Sequence, residues 1–293
     1  MKIKDLSISS FIEAINVRFR IDGRKYPHFH HISSDDVRKA YLQKMFFFVS
    51  TGRTGTAFIE QLLNEVKGVD VYHEPFPCLA EFPNLVFTNK KESFSKGVLL
   101  GARSQRIIEC YNRNKIYVES NQVLSFFIRE IIECFPNAKI IHLVRNPYSF
   151  IKSGMQKGWY SNDTVWEYGR RKCDSELWNT MNQIQKLSWY WTEVNRTIIK
   201  DCSIFLTNDK YFLLRLEDID KKNKIDDLSL FIGREIKYIS EGSKKLKNKS
   251  KEKEWWCGGN VNKKKSISIN FESIEINVHD EFKAMVKKFN YDV

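Results

Sequence analysis

The sequence predicts an α/β fold in which a central parallel β-sheet is flanked by helices. Three observations carry this expectation. Short apolar runs recur along the 293 residues, amphipathic helical stretches lie between them, and the first run empties into a Gly- and Thr-rich turn that opens a helix. Strands that alternate with helices need crossover connections, and crossovers cover a parallel sheet on both faces. Its strands then read as unbroken apolar runs.

In chain order, residues 1–44 form a lead-in segment ending in a helix. Ser33 and Ser34 precede "DDVRKAYLQKM", with acids in the first turn and bases later, as the helix dipole favours. Residues 45–293 read as a single domain. Its strand candidates are "MFFFVS" (45–50), "VDVYH" (69–73), "KIYVES" (115–120) and "KIIHLV" (139–144), and "TAFIEQLLNEV" and "VLSFFIREIIECF" are among the helices between them. "YFLLRLEDI" (211–219) reads as a fifth strand running into a helix start. Residues 155–210 predict an aromatic-rich helical cap whose rings mostly pack onto the sheet. Trp159 and Tyr160 are the exceptions: they lie in the polar stretch "QKGWYSND" and are expected to be exposed, able to stack on a sugar face. The last stretch, "FESIEINVHDEFKAMVKKFNYDV", has a helical repeat that would pack back on the domain.

Hydrophobic residues at 42% and aromatics at 14% supply a sizeable core and exclude disorder. The formal charge of +12 suits an anionic partner. Much of it is local, since nine lysines face two glutamates between residues 244 and 265. Such a run reads as a solvated loop or helix face, and no nucleic-acid role is expected from it. The six cysteines, at 78, 110, 134, 173, 202 and 257, form no CxxC pair, so neither a zinc site nor a disulfide framework is expected. A reduced, cytoplasmic setting follows. "HFHH" (28–31) has no partner spaced for a metal. "MKIKDLSISSFIEAINVRF" lacks a long apolar core, so no signal peptide or membrane span is expected.

The turn "STGRTGT" (50–56) looks like a phosphate-binding loop without its usual Gly-Lys-Ser/Thr ending. Gly52 and Gly55 let the backbone turn its N–H groups inward. Thr54, Thr56 and Ala57 start a helix whose free N–H groups and dipole favour an anion, and Arg53 adds a planar fork of donors. A plain strand-to-helix turn has the same outline, but a second stretch weighs against it. "KIIHLVRNPYSFIKSG" (139–154) is a buried strand that ends in Arg145, turns at Asn146-Pro147 and enters a helix carrying Ser153. Arginine and serine can then converge on one phosphate. In a kinase or GTPase the strand near the nucleotide commonly ends in an acid that holds Mg²⁺. A guanidinium in that place favours an extra phosphate over a metal.

On these pieces the chain resembles the sulfotransferases that use 3′-phosphoadenosine 5′-phosphosulfate (PAPS). "STGRTGT" resembles the family's 5′-phosphosulfate loop, and "KIIHLVRNPYSFIKSG" its 3′-phosphate segment, with Arg145 and Ser153 at the phosphate ligands. "VYHEPFP" resembles the acidic segment after the second strand in the carbohydrate and tyrosylprotein branches. Weaker agreement continues in "LLRLEDI", so the likeness spans residues 45–220. It implies a P-loop NTPase-like sulfotransferase fold, PAPS as donor and a hydroxyl-bearing acceptor. It also implies that a basic loop at Lys263, Lys264 and Lys265 could close over the 3′-phosphate.

Transfer to a hydroxyl needs fixed donors for the leaving phosphate and a base for the acceptor proton. Arg53 and the N–H groups from Thr54 to Ala57 are placed for the first, with Thr56 Oγ1 assisting. The sulfuryl group carries less charge than a phosphoryl group, so no metal is expected. Glu74, just past the second strand, is the expected base, on the resemblance to the acid-Pro segment. His73 competes, and Glu119 is a third option, with Ser120 and Asn121 beside it able to touch donor or acceptor. The acceptor is expected to be a glycan. A small alcohol or phenol, a peptide tyrosine, a P-loop nucleotide kinase and a basic polyanion-binding module are the alternatives.

Overall fold

In the structure, a computed structural model, the run at 45–50 is a strand buried at every position. The structure describes residues 33–80, 82, 83, 86, 92–161, 171–173, 176–237 and 279–292. The described elements, in chain order, are α1 (Ser34–Leu42), β1 (Met45–Ser50), α2 (Thr56–Asn64), β2 (Val69–His73), α3 (Glu92–Asn112), β3 (Ile116–Ser120), α4 (Ile128–Cys134), β4 (Ala138–Val144), α5 (Pro147–Gln156), α6 (Glu176–Thr180), α7 (Gln183–Phe205), β5 (Tyr211–Arg215), α8 (Lys222–Ile232) and α9 (His279–Lys288). By compactness the chain divides into residues 1–37 and 38–293. In the first unit, Ser33 starts α1 with a reciprocal cap. Its Oγ accepts from the Asp36 N–H at 3.2 Å, and its own N–H donates to the Asp36 carboxylate at 3.0 Å.

The second unit is built on one five-stranded parallel sheet of order β2-β3-β1-β4-β5. In β1, Met45, Phe47 and Val49 enter the core on one face while Phe46 and Phe48 enter the core on the other. This double burial is the reason the run is continuous and does not alternate. One face is covered by α2 and α8 through Ile59, Leu63, Ile225 and Leu228. The opposite face carries α3, α4, α7 and α9 through Leu99, Ile131, Trp191 and Phe282. The fifth strand stops at Arg215 and passes through a 3₁₀ turn, Leu216–Asp218, before α8.

Trp159 and Tyr160 are not exposed as the polar local sequence predicts; they are 3% and 2% accessible. Tertiary packing overrides composition here, because α6 and α7 lay Trp178 and Tyr190 over them. The Tyr160 and Trp178 rings meet edge to face at 4.9 Å, and the Tyr160 hydroxyl donates to the Arg171 carbonyl at 2.8 Å. One polar side chain in the core is His142 of β4. Asn195 donates through Nδ2 to the Trp191 carbonyl, so its Oδ1 accepts from His142 Nε2 at 2.8 Å, and His142 Nδ1 accepts from the Tyr211 hydroxyl at 2.9 Å. Burial, only partly offset by Asn195, pushes the imidazole down to about 4, so it is neutral.

The run 244–265 with Lys263, Lys264 and Lys265 and the "HFHH" stretch lie outside the described residues. Among the described residues, no helix is long and apolar enough to cross a membrane.

Candidate active site

The loop after β1 is held in a left-handed backbone at Gly52 (φ 76°), Arg53 (φ 53°) and Gly55 (φ 82°). Gly52 is doubly required, since a Cβ there would lie 1.8 Å from Gln122 Oε1. The base of the loop is bolted down. Ser50 N–H donates to Ser125 Oγ at 2.9 Å, Ser125 Oγ donates to the Ser50 carbonyl at 2.8 Å, and Gly52 N–H donates to Ser50 Oγ at 3.1 Å. α2 then starts at Thr56 behind Gly55 with no side-chain cap; the Phe58 N–H donates to the Gly55 carbonyl at 2.9 Å, which leaves the Thr56 and Ala57 N–H groups to an external acceptor. Thr54 is fully buried, yet its Oγ1 has no hydrogen-bond partner among the described residues.

β1 and β4 are neighbours whose connections leave in opposite directions, to β2 and to β5. Such a reversal opens a crevice at the carboxyl ends of the strands, where ligands of open α/β sheets bind. Arg145 follows β4 directly into that crevice. Its Nη1 donates to the Arg53 carbonyl at 2.8 Å, and Arg53 Nε donates to Ser153 Oγ at 2.9 Å. Asn146 caps α5 by accepting from the Ser149 N–H at 3.1 Å, with Pro147 in the first turn. The three residues expected to hold phosphates thus meet. They do so through Arg53, whose side chain crosses to α5, so the two expected phosphate pockets share a wall. Burial pulls the Arg145 pKa below the ordinary arginine value, and the nearby Glu217 carboxylate opposes this. An oxyanion would relieve the same strain.

The candidate bases stand at the ends of β2 and β3. Glu74 is half-buried, adopts φ 42° and donates its N–H to the Ser120 carbonyl at 3.1 Å. His73 Nδ1 lies 3.2 Å from the same carbonyl. A carbonyl only accepts, so Nδ1 carries the proton and Nε2 keeps the basic lone pair. β3 separates β2 from β1, so His73 and Phe48, both in register with Ser120, lie roughly 10 Å apart, backbone to backbone. Glu119 is different, because its carboxylate oxygens are already engaged. It is fully buried, pairs with Arg103 Nε at 2.7 Å, and accepts from the Tyr117 hydroxyl at 2.7 Å and from Asn121 Nδ2 at 2.9 Å. The period of two along β3 places it on the same face as Tyr117, under α3. Asn121 is fully buried and its Oδ1 takes the Val123 N–H at 3.0 Å, so it belongs to this network. Among the described residues, no group of three or more His, Cys, Asp and Glu side chains is arranged to hold a metal.

Gln122, Ser125 and Tyr291 at this site carried no signal in the sequence. Glu217 did, weakly, inside "LLRLEDI". It accepts from the Asn146 N–H at 2.9 Å and from the Tyr291 hydroxyl at 2.6 Å.

Residues 46–211 match the sulfotransferase domain family. Comparison with curated proteins gives no match. Among solved structures, the chain is similar to the sulfotransferase domain from the curacin biosynthetic pathway, at 16% identity over 86% of this chain and 99% of that one, with a TM-score of 0.49. It is similar to the sulfotransferase domain of the Synechococcus PCC 7002 olefin synthase at 15% identity, over 86% of this chain and 96% of that one, with a TM-score of 0.48. A sulfotransferase from Mycobacterium tuberculosis H37Rv matches at 13% identity over 72% of each chain, with a TM-score of 0.43. The family match runs from β1 to the first residue of β5 and takes in the Gly52–Gly55 loop, Arg145 and Ser153. The chain belongs to the sulfotransferase family.

Proposed function

We propose that this sulfotransferase draws its sulfuryl group from PAPS and delivers it to the hydroxyl of a carbohydrate or glycoconjugate. The observation that carries the reading is the Arg145–Arg53–Ser153 chain, two guanidiniums and a hydroxyl joined in one crevice beside an uncapped helix start. A donor with a phosphate at each of two ribose positions suits that set. The buried, unpartnered Thr54 hydroxyl is a further fit, since a bound oxyanion would give it an acceptor. When bound, PAPS supplies an activated sulfuryl group and leaves as the 3′,5′-bisphosphate (PAP).

The chain's own part is electrostatic and geometric. Arg53 and the N–H groups from Thr54 to Ala57 stabilise negative charge growing at the 5′ end, with Thr56 at the helix start beside them. Arg145 and Ser153 grip the 3′-phosphate. Glu74 takes the acceptor proton, and His73 Nε2 is the competing base. The carbohydrate preference rests on the His73-Glu74-Pro75 segment, because Trp159 and Tyr160 are buried. Phe76, 75% exposed next to this segment, offers an aromatic surface in their place.

The test is transfer of labelled sulfate from PAPS across a panel of glycan, phenolic and tyrosyl-peptide acceptors. Alongside it, PAP without Mg²⁺ should raise the melting temperature, and Arg145→Ala should weaken PAP binding by about 100-fold. Stabilisation by ATP with Mg²⁺ and none by PAP would point to the kinase reading instead.

A further inference from the structure

Arg145 is positioned by more than its own strand. Asn146, the next residue, gives its backbone N–H to Glu217 Oε1 at 2.9 Å, and the Tyr291 hydroxyl donates to Glu217 Oε2 at 2.6 Å. Glu217 sits in the 3₁₀ turn after β5, and Tyr291 lies just beyond α9. Tyr291 is itself held in place: its ring stacks against the Arg215 guanidinium at 4.6 Å, and Arg215 donates to the Asn290 carbonyl at 2.8 Å. Burial, and after it the hydrogen bond to Glu217, push the Tyr291 pKa above the ordinary phenol value, so it is a donor. Both oxygens of Glu217 are thereby engaged. The Arg145 guanidinium donates instead to the Arg53 carbonyl, and Glu217 acts on it only across space. A carboxylate this near would otherwise compete with a phosphate for the same donors.

We propose that Glu217 and Tyr291 are positioning residues of the donor site: Tyr291 turns the Glu217 carboxylate away from Arg145, and together they pin the Arg145–Asn146 turn so that the guanidinium stays open to a phosphate. This rests on reading Arg145 as a phosphate ligand. The segment after α9 is then part of the binding machinery, although it reaches no ligand itself.

Titration calorimetry with PAP on the full chain tests this, well below each variant's melting temperature. Tyr291→Phe keeps the ring and removes only the hydroxyl; it should weaken PAP about five- to tenfold. Arg145→Lys should also weaken PAP. Adding Tyr291→Phe to Arg145→Lys should cost little more, because the tyrosine acts through the guanidinium. Should Tyr291→Phe fail to fold, Glu217→Gln carries the same cycle. Wild-type affinity in Tyr291→Phe, or a loss that adds in full to that of Arg145→Lys, overturns the inference while leaving the donor site standing. If the wild type does not bind PAP, or Arg145→Lys binds it unchanged, the donor-site reading fails and takes this inference with it.

Discussion

Glu74 and Glu119 stand at the ends of neighbouring strands, yet they have opposite surroundings. Glu119 is sealed: a guanidinium, a phenol and an amide fill its oxygens, and no part of it reaches solvent. Glu74 is half-buried and is fixed mainly through its backbone, which hangs from the Ser120 carbonyl. Acid type and nearness to the crevice therefore do not select a base. A carboxylate whose lone pairs are already committed serves the fold, and one held by its main chain keeps its side chain for chemistry.

This contrast can be broken by substitution. The largest expected effect is on the sealed side. Glu119→Gln leaves the buried Arg103 charge uncompensated and should cost about 3–5 kcal/mol in urea denaturation, with turnover per folded molecule kept. A stable but inactive Glu119→Gln would reverse the assignment. On the open side, Glu74→Gln should leave stability and PAP affinity alone and lower kcat by about 10²–10³-fold. Full activity would move the role to His73, tested next as His73→Asn.

His142 extends the comparison to a sealed base. Its folded-state pKa of about 4 lies below the ordinary 6.5, so the unfolded chain binds its proton first. Its contribution is complete above pH 6.5 and fades as pH falls toward 4, amounting to about 3 kcal/mol. Denaturation midpoints followed between pH 7 and 4.5 should show this loss, and a His142→Gln variant should show a shallower slope. The smallest effect expected is at Gly52. Alanine there must hold a left-handed backbone and displace Gln122, for about 1–2 kcal/mol of stability, read as a lower melting temperature with weaker PAP binding. An unchanged melting temperature would show that the loop tolerates another backbone.

Most of the sheet was legible because parallel strands covered on both faces must be apolar throughout, as in Phe46 to Val49. The Gly52–Gly55 turn was legible for a related reason: glycine at positive φ and a helix start are local features, written in consecutive residues. What depended on distant partners was not legible. Nothing beside Glu119 in the sequence announces that Arg103, on α3, will neutralise it. The polar neighbours of Trp159 and Tyr160 suggested exposure, but α7 supplies their cover from thirty residues on, through Tyr190. The spacing of Arg145 and Ser153 was visible, whereas the bridging role of Arg53 needed the fold.

The position of β1 has a kinetic consequence. Met45 pairs with Tyr117 on one side and with Ala138 on the other, so the strand that bears the loop has no partner close to it in sequence. Closing those long intervals is entropically slow, and the cradle cannot exist until both are closed. In a refolding experiment, recovery of PAP binding should therefore trail the return of helical signal, making ligand capture a clock for the last stage of assembly.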